Sequence, residues 1–294
     1  MSAHRLISLC RTWLFLPGAD ESALLAGPAS GADVLIQELE DSTPIELRPK
    51  AHAIAAQVYG AWRAAGAVVA VRINPLELDG MADLAAVMRG GPDIVALPKV
   101  AEPEQVVRLD HAVSRFEREY GIAEGSTALL ANIELARGLV QTGEIARASA
   151  RTIGCLMASE DLAADLGAER APDCAELAYA RQRFLVECVA ARTVAIDCPF
   201  TWRDPKGVER DTQWARRLGY KAKSAVAPEH VAIINRVLTP SAEDITRAKK
   251  IVSAFESARS HGKQSVEVDG SLVEVPTWLN ATRLLMRARE LGCY

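Results

Sequence analysis

The chain has 294 residues, 49% of them hydrophobic and 24% charged, and a formal net charge of -4 at pH 7. This composition is ordinary for a folded globular protein and excludes extensive disorder. The negative charge argues against nucleic acid as an obligate partner, because nucleic-acid-binding proteins need a basic face. No apolar run approaches the ~18 residues of a membrane span, so we expect no membrane segment.

The first ten residues have no long apolar core and no small-residue cleavage site, so no signal peptide is predicted. Six cysteines are scattered along the chain without a CxxC pair. This pattern predicts reduced and partly buried thiols rather than a disulfide framework. The expected compartment is therefore the cytoplasm.

Eight short apolar runs alternate with helical stretches along most of the chain. Most of these runs lack polar alternation, which is typical of strands buried on both faces. They lie at Trp13–Leu16, Val34–Gln37, Val68–Ile73, Ile94–Leu97, Ala128–Ile133, Thr152–Met157, Thr193–Ile196 and Ala222–Val226. Eight such strands predict a closed parallel (β/α)8 barrel, the TIM barrel. An open doubly wound sheet is the rival fold, but the chain contains no GxGxxG or GxxxxGKS/T phosphate loop.

Two of the intervening stretches have apolar residues at helical spacing. In residues 44–65 the expected apolar face consists of Ile45, Ile54, Ala55, Val58 and Trp62. In residues 102–120 it consists of Val106, Val107, Leu109, Val113 and Phe116. Each face is expected to be the buried side of its helix.

The pattern changes after about residue 235. Ser241 is expected to cap a helix that runs to His261. Residues 265–275 predict a β-hairpin with its turn at Asp269-Gly270. Pro276 is expected to end the hairpin before a last helix.

We therefore divide the chain into two predicted domains. Residues 1–238 are expected to form the barrel as the catalytic domain. Residues 239–294 are expected to form a C-terminal helix-hairpin-helix extension that acts as a lid, as an oligomer arm, or as both.

In a (β/α)8 barrel the reacting groups lie on one face, where the strands end and the loops begin. Polar and charged residues lie at the carboxyl ends of six of the predicted strands. They are Glu38, Glu40 and Asp41 at the end of strand 2, Arg72 and Asn74 at the end of strand 3, Lys99 at the end of strand 4, Asn132 and Glu134 at the end of strand 5, Glu160 and Asp161 after strand 6, and Asp197 at the end of strand 7. We therefore expect a ring of carboxylates that includes one arginine and one lysine.

Carboxylates that converge repel one another unless a cation or a proton lies among them. Oxygen ligands suit Mg²⁺, whereas zinc is disfavoured because the chain has no HxxxH motif and no Cys/His cluster. An arginine beside such a metal suits a substrate carboxylate. The residues thus indicate a metal-assisted site for a small oxo- or hydroxy-acid.

Each of these residues also has a structural alternative. Glu40 and Asp41 could form a solvated turn, and Arg72 could pair with Glu40 for structure alone. Glu160 and Asp161 could face the dipole of a helix. The functional interpretation depends on several such residues falling together at consecutive strand ends.

Short motifs over essentially the whole chain carry a family resemblance. Residues 11–18 read RTWLFLPG and residues 31–41 read GADVLIQELED, and further motifs occur at residues 71–74, 97–100, 133–138, 160–167, 195–200 and 219–223. The first two are similar to RSxLFVPG and GADxxxxDLED. The chain resembles the citrate lyase beta subunit and its stand-alone relatives in the HpcH/HpaI aldolase family.

This resemblance implies a (β/α)8 barrel assembled as a trimer or hexamer. It implies Mg²⁺ bound by Glu134 and Asp161, with Arg72 on the substrate carboxylate or oxo group. Glu40 and Asp41 would support Arg72 and the metal-bound waters. Members of the family cleave or form carbon–carbon bonds in malyl-, citramalyl- or citryl-type thioesters. The resemblance therefore implies a Mg²⁺-dependent carbon–carbon lyase that yields an oxo-acid and an acyl thioester.

The C-terminal tail departs from the family pattern. In many CoA-dependent relatives a MIDxP-like motif carries an aspartate that reaches a neighbouring subunit's site as the acid/base. Here residues 272–276 read LVEVP, so Glu274 stands in its place. A glutamate can transfer the same proton, but its carboxylate lies one methylene farther out. We favour Glu274 as a catalytic base, and the alternative is a hairpin residue without a catalytic role.

Two segments that line the thioester region in relatives also differ. The IHP after strand 8 is Val226-Ala227-Pro228 here, and residues 17–22 after strand 1 lack the usual basic residue. Lys50, Lys99 and Lys223 are the candidates for contacts with cofactor phosphates, and the alternative for each is a solvated surface lysine. Use of CoA or of an acyl carrier therefore stays open. The alternatives are an aldolase for free 2-oxo or hydroxy acids and a non-catalytic metabolite-binding subunit.

Four further side chains are expected to be structural. His52 and His230 are expected on helix surfaces and not as metal ligands. Trp202 and Trp214 follow strand 7, where packing is the favoured role and covering the barrel mouth is the alternative.

Overall fold

The computed structural model describes residues 6–294, so the first five residues of the segment examined for a signal peptide lie outside it. Across the described residues, no helix is long and apolar enough to cross a membrane. All six cysteines are free thiols, and only Cys293 is exposed.

Eight parallel strands close into a barrel in which each strand pairs with the next and β1 pairs with β8. They are β1 Thr12–Pro17, β2 Val34–Glu38, β3 Val68–Arg72, β4 Ile94–Leu97, β5 Ala128–Ile133, β6 Thr152–Met157, β7 Val194–Asp197 and β8 Ala222–Ala225. The prediction of a (β/α)8 barrel is confirmed, because the apolar runs are strands covered on both faces.

Within the described residues, ten α-helices connect or follow these strands. They are α1 Glu21–Ala26, α2 Arg48–Ala64, α3 Gly80–Val87, α4 Pro103–Tyr120, α5 Ala136–Val140, α6 Thr142–Arg147, α7 Ser159–Leu166, α8 Ala178–Ala191, α9 Pro205–Leu218 and α10 Pro228–Leu238. Helix α4 shows why such a segment is helical: Glu102 and Gln105 form a capping box, and Gly121 ends the helix in a left-handed conformation.

One side of every strand fills the lumen of the barrel. The apolar cluster there has a member from each strand, and all of the following are at most 1% exposed: Trp13, Ile36, Ala70, Ala96, Leu130, Leu156, Ile196 and Ala222. Side chains alternate along a strand with a period of two. The residue two positions beyond each cluster member therefore faces the same lumen, nearer the carboxyl end of the barrel.

Two predicted apolar faces are wrong at their edges. Ile45 is 67% exposed, because residues Ile45–Leu47 form a separate 3-10 turn and α2 begins only at Arg48. Val107 is 37% exposed on the flank of α4. The central residues of both faces, such as Val58 and Val113, are fully buried as expected.

The described chain separates into two compact units, one ending at Arg236 and the other spanning Val237–Tyr294. The second contains α11 Ala242–Ser260, the hairpin strands β9 Val266–Val268 and β10 Ser271–Val273, and α12 Val275–Glu290. The Ser241 side chain accepts a hydrogen bond from the Asp244 amide, which confirms the predicted cap.

The small core of the second unit joins its hairpin to its helices. Phe255 stacks on Trp278 at 5.9 Å between ring centroids, and Val268 and Val273 complete the cluster. The hairpin turn has positive φ at both Asp269 and its glycine neighbour, as a tight two-residue turn requires. Pro276 lies in the first turn of α12 and does not precede it, because proline fits the first helical positions. The role of this unit as a lid or arm stays a prediction.

Candidate active site

The lumen-facing positions turn from apolar to polar at the carboxyl end of the barrel. Glu38 lies two residues after Ile36, Arg72 two after Ala70, and Asn132 two after Leu130. Glu134 continues the same face of β5 two residues farther on. Strand alternation thus brings carboxylate, guanidinium and amide groups together at the barrel mouth.

Arg72 is the centre of this group. Its Nε donates to Glu38 at 2.9 Å, its Nη2 lies 3.2 Å from Asp41 and 3.4 Å from Glu40, and its Nη1 lies 3.5 Å from Glu134. Although burial opposes it, the charges of Glu38, Glu134 and Glu40 raise the pKa of Arg72 above its usual range. Arg72 therefore stays positively charged among four carboxylates.

Lys99 is the second cation of the group. It has a left-handed backbone conformation, with φ of 51°, just after β4. Its ammonium hydrogen-bonds to Glu40 and lies 3.6 Å from Asp41 and 3.9 Å from Asp161. Burial favours the neutral amine, but the bond to Glu40 and the carboxylate charges outweigh it and raise the pKa of Lys99.

Six of the predicted site residues are therefore brought together: Arg72, Lys99, Glu40, Asp41, Glu134 and Asp161. With Glu38, the group contains five carboxylates and two cations. Such an excess of negative charge leaves room for a further cation.

Glu134 lacks the partners that a buried carboxylate needs. It is fully buried, and neither oxygen has a hydrogen-bond partner among residues 6–294. Burial raises the pKa of Glu134 to about 7, since the Arg72 charge only partly offsets the loss of solvent and the Glu40 and Asp161 charges add to it. A carboxylate in this condition is one that a bound cation would satisfy.

The oxygen ligands at this site suit Mg²⁺, which keeps several waters, better than a metal ion whose ligands all come from the protein. No three His, Cys, Asp or Glu side chains in the described part of the chain form a cage for an ion. Mg²⁺ usually keeps several waters and takes one or two carboxylates plus substrate oxygens. Glu134, with two unpartnered oxygens, and the half-buried Asp161 match that requirement.

A cavity of about 270 Å³ opens beside this group. Its polar side is lined by Glu38, Asp41, Arg72 and Asp161, and its apolar side includes Phe15. The Arg72 guanidinium lies 5.1 Å from the centre of the Phe15 ring. The space suits a small acid whose carboxylate meets Arg72.

Lys223 does not lie in this site, because it is adjacent to a lumen-facing residue of β8 and therefore points to the opposite side of the strand. It follows lumen-facing Ala222, so its side chain points toward the helices and is fully buried. Its ammonium donates to Asp197 at 2.7 Å and lies 2.6 Å from Asp211. The predicted contact between Lys223 and a cofactor phosphate has no support in this placement. Asp197, expected in the carboxylate ring, is also absent from the site.

Arg181 completes this buried cluster of two cations and two carboxylates. It binds Asp197 through two hydrogen bonds and Asp211 through one of 2.6 Å. Burial opposes the charge on Asp211, but Lys223 and Arg181 outweigh it and lower the pKa of Asp211 to about 2. The cluster ties β7 and β8 to α8 and α9.

We expect Asp211→Asn to be less stable than wild type at neutral pH. Wild type should lose the same contribution to its stability only in strong acid. The unfolded aspartate has a pKa of about 3.9, so the lowered folded value contributes about 2–3 kcal/mol above pH ~4, which is lost as the pH falls toward ~2. Urea unfolding between pH 7 and pH 2.5 measures this, with exposed Glu119→Gln as the control. An Asp211→Asn protein with the wild-type pH profile would contradict the assignment.

The two histidines differ from each other. His52 hydrogen-bonds to Asp83 at 2.7 Å. His230, expected on a helix surface, is only 2% exposed and packs on Phe200 at 6.1 Å between ring centroids, so that expectation is wrong. Burial lowers the pKa of His230, which keeps the imidazole neutral.

Sequence reasoning missed the roles of two residues at the mouth. Glu38, and not Glu40, makes the shortest contact with Arg72. Asn132 is fully buried, and neither amide atom has a partner among residues 6–294. Strand alternation was the available signal, because both residues continue a lumen-facing row.

A family model described as HpcH/HpaI aldolase/citrate lyase matches residues 11–228. The chain belongs to this family. Over 282 residues, 95% of this chain and 93% of the relative, it is 32% identical to the citrate lyase subunit beta of Leuconostoc mesenteroides subsp. cremoris. The family membership confirms the resemblance seen in the motifs.

Two further relatives extend the comparison. A (3S)-malyl-CoA thioesterase of Cereibacter sphaeroides is 27% identical over 97% of this chain and 96% of its own length. The structure of a citrate lyase beta subunit from M. tuberculosis, complexed with oxaloacetate and magnesium, is 27% identical. It covers 79% of this chain and 99% of that chain, with a TM-score of 0.64. The chain is thus similar both to citrate lyase beta subunits and to a malyl-CoA thioesterase.

Proposed function

We propose that the chain is a Mg²⁺-dependent carbon–carbon lyase of the citrate lyase beta type, acting on a citryl-, malyl- or citramalyl-CoA-like thioester. The observation that carries this proposal is the buried, unpartnered Glu134 carboxylate beside Arg72 and Asp161. The names of the relatives support the substrate class, since they include citrate lyase, a malyl-CoA enzyme and a complex with oxaloacetate and magnesium.

Glu134 and Asp161 would hold the cation, which supplies positive charge to the oxygens of the oxo-acid. Arg72 binds the carboxylate of that acid and fixes its orientation. Glu38, Glu40 and Asp41 hold the guanidinium in place, so little reorganisation is needed when the substrate arrives.

In cleavage, a base takes the proton of the substrate hydroxyl and the carbon–carbon bond breaks to release the oxo-acid. The electron pair of that bond stays with the acyl thioester, which then takes a proton. We propose Glu274 as the base. It is exposed just before α12, in the second compact unit.

The chain is proposed to assemble as a trimer or hexamer through this second unit. Deleting the residues after Pro240 should then lower the assembly mass measured by light scattering. An unchanged assembly mass would refute the proposed role of the second unit as an oligomer arm. We place the enzyme in the cytoplasm, in keeping with its six free cysteines.

One observation favours a second candidate, an aldolase for free 2-oxo or hydroxy acids. The turn after β1 carries Asp20 and Glu21 and no basic residue, so it offers nothing to the phosphates of CoA. A metabolite-binding subunit without turnover would share the same oxo-acid site.

Calorimetric titration of acetyl-CoA and of oxaloacetate into the Mg²⁺-loaded protein separates the lyase from the free-acid aldolase, and binding without turnover of any candidate substrate would favour the metabolite-binding subunit. The lyase predicts binding of both, with oxaloacetate binding lost in Glu134→Ala. Oxaloacetate binding without acetyl-CoA binding would favour the free-acid aldolase. Failure of both ligands to bind would refute the proposal.

A further inference from the structure

A buried carboxylate outside the barrel lumen contacts one of the loops that surround Arg72. Asp83 lies on α3 and is completely buried. It does not line the cavity beside Arg72, and the proposed lyase chemistry does not use it. A buried carboxylate is costly to desolvate unless its oxygens are bonded. The partners of Asp83 therefore indicate which segments of the fold it holds in place.

Asn74 binds one oxygen of this carboxylate. Its backbone amide and its side-chain Nδ2 both donate to Asp83 Oδ2 at 2.8 Å. The same Nδ2 also donates to the carbonyl of Leu39 at 3.0 Å. Asn74 lies two residues after Arg72, in the loop that follows β3, and Leu39 lies in the loop that follows β2. One side chain thus joins the two loops at the mouth of the barrel.

The loop after β2 carries groups that hold the Arg72 guanidinium. Leu39 is flanked by Glu38, which accepts from Arg72 Nε at 2.9 Å, and by Glu40, which lies 3.4 Å from Nη2. The Leu39 amide in turn donates to the Arg72 carbonyl at 2.9 Å. A shift of this loop would therefore move both carboxylates relative to the guanidinium.

The other oxygen of Asp83 is bound from α2. His52 Nε2 lies 2.7 Å from Asp83 Oδ1, and one turn earlier Arg48 pairs with Asp79. Both contacts join α2 to the start of α3, but the His52 contact is the one whose carboxylate also binds Asn74. The two helices thus provide a fixed support for the loop after β3.

This loop also packs directly on the first turn of α3. A Cβ at Gly80 would lie 2.3 Å from the Asn74 carbonyl oxygen and 2.9 Å from that of Pro75, so the close approach requires glycine. The Gly80 amide donates to the Pro75 carbonyl at 3.1 Å. The loop therefore has little freedom to move while its bonds to α3 are intact.

We propose that Asp83 is a positioning residue for the oxo-acid site and that it acts on Arg72 through Asn74 and the loop after β2. The inference rests on the lyase function proposed above, in which Arg72 binds the carboxylate of the substrate. Asp83 touches no reacting atom. Its bonds to Asn74 fix the two loops before the substrate arrives, so the guanidinium is held in one orientation.

Hydrogen exchange followed by mass spectrometry measures this positioning without a ligand. In the metal-free full chain, the amides of residues 39–43 should exchange about tenfold faster in Asp83→Ala and in Asn74→Ala than in wild type. Asp83→Asn keeps an oxygen for Asn74 and should restore the wild-type rate. If Asp83→Ala does not fold, Asn74→Ala provides the test.

The matched control is Asp33→Asn. Asp33 is also buried and accepts a hydrogen bond from a backbone amide, that of Arg11, but it lies at the opposite end of β2. Its substitution should lower stability without changing exchange at residues 39–43.

Oxaloacetate binding tests whether the positioning acts through Arg72. In calorimetry of the Mg²⁺-loaded protein, Asp83→Ala should weaken oxaloacetate binding by about tenfold, whereas Asp83→Asn and Asp33→Asn should not. Added to Arg72→Lys, Asp83→Ala should cause no further loss, because the geometry that it maintains is already lost. Fully additive losses would place the effect of Asp83 elsewhere and overturn the proposal.

The two measurements separate this inference from the lyase function. Unchanged exchange at residues 39–43 in the alanine variants, or an equal increase in Asp33→Asn, overturns the positioning role whatever the protein binds. If the alanine variants exchange faster but wild type binds no oxaloacetate, the lyase function fails and the positioning of Arg72 is supported. Mg²⁺ affinity should be the same in all of these variants, because Glu134 and Asp161 follow other strands.

Discussion

Replacing Glu134 by glutamine should abolish Mg²⁺ binding while leaving the metal-free protein at least as stable as wild type. The substitution keeps the shape of the side chain but removes a negative charge that is fully buried without a hydrogen-bond partner. Loss of an outer-sphere group typically costs 10–100-fold in metal affinity, so loss of a direct ligand should cost more than about a hundredfold. Because this charge lies 3.5 Å from Arg72 Nη1 but accepts no hydrogen bond, its removal should stabilise the metal-free fold by at most about 1 kcal/mol.

Glu117 provides the matched control, because it is equally buried but fully partnered. Its carboxylate accepts hydrogen bonds from Arg151 and from the amides of Gly125 and Thr127. Glu117→Gln should therefore lose about 3 kcal/mol of stability and keep wild-type Mg²⁺ affinity. Calorimetry and thermal unfolding with and without Mg²⁺ measure both quantities. Undiminished Mg²⁺ affinity in Glu134→Gln would remove that residue from the metal site.

Arg72→Lys should weaken oxaloacetate binding by about a hundredfold even though the positive charge is kept. A lysine ammonium cannot span the four carboxylates that the guanidinium contacts, and it cannot bind a substrate carboxylate through two parallel hydrogen bonds. We also expect a loss of about 2–4 kcal/mol of stability, because the buried carboxylates lose part of their pairing.

Arg151→Lys separates the two effects. Arg151 is similarly buried and also binds two carboxylates, those of Glu117 and Asp110, away from the barrel mouth. Its substitution should lower stability without changing the dissociation constant of oxaloacetate. If the two variants bind oxaloacetate equally well, Arg72 is a structural residue only.

The barrel and the core of its site could be predicted because both follow from local patterns. Uninterrupted apolar runs identified the strands, and the rule that reacting groups follow strand ends brought Arg72, Glu134 and Asp161 into one region. Lys223 and Asp197 were misplaced for a physical reason. Both lie at strand ends, but each is one residue out of phase with the lumen, so each faces the helices.

Other features depend on contacts that no single sequence segment contains. A cavity of about 660 Å³ is lined by α8, α9 and the loop of residues 171–175, and no local pattern predicts that these three segments meet. The burial of His230 depends on Phe200, which lies thirty residues away in the chain.

Asn132 and Glu134 make this enzyme vulnerable to selection for heat resistance alone. Each buries polar atoms without partners, so apolar replacements of similar size, such as Asn132→Leu, remove an unfavourable contribution to folding. A library screened only for thermal survival should therefore accumulate changes at the barrel mouth, which function requires to stay polar. Screens for stabilised forms of this chain should therefore hold these two positions fixed. Their unpartnered polar atoms lower the stability of the fold, but the same atoms are available to bind a cation or a substrate.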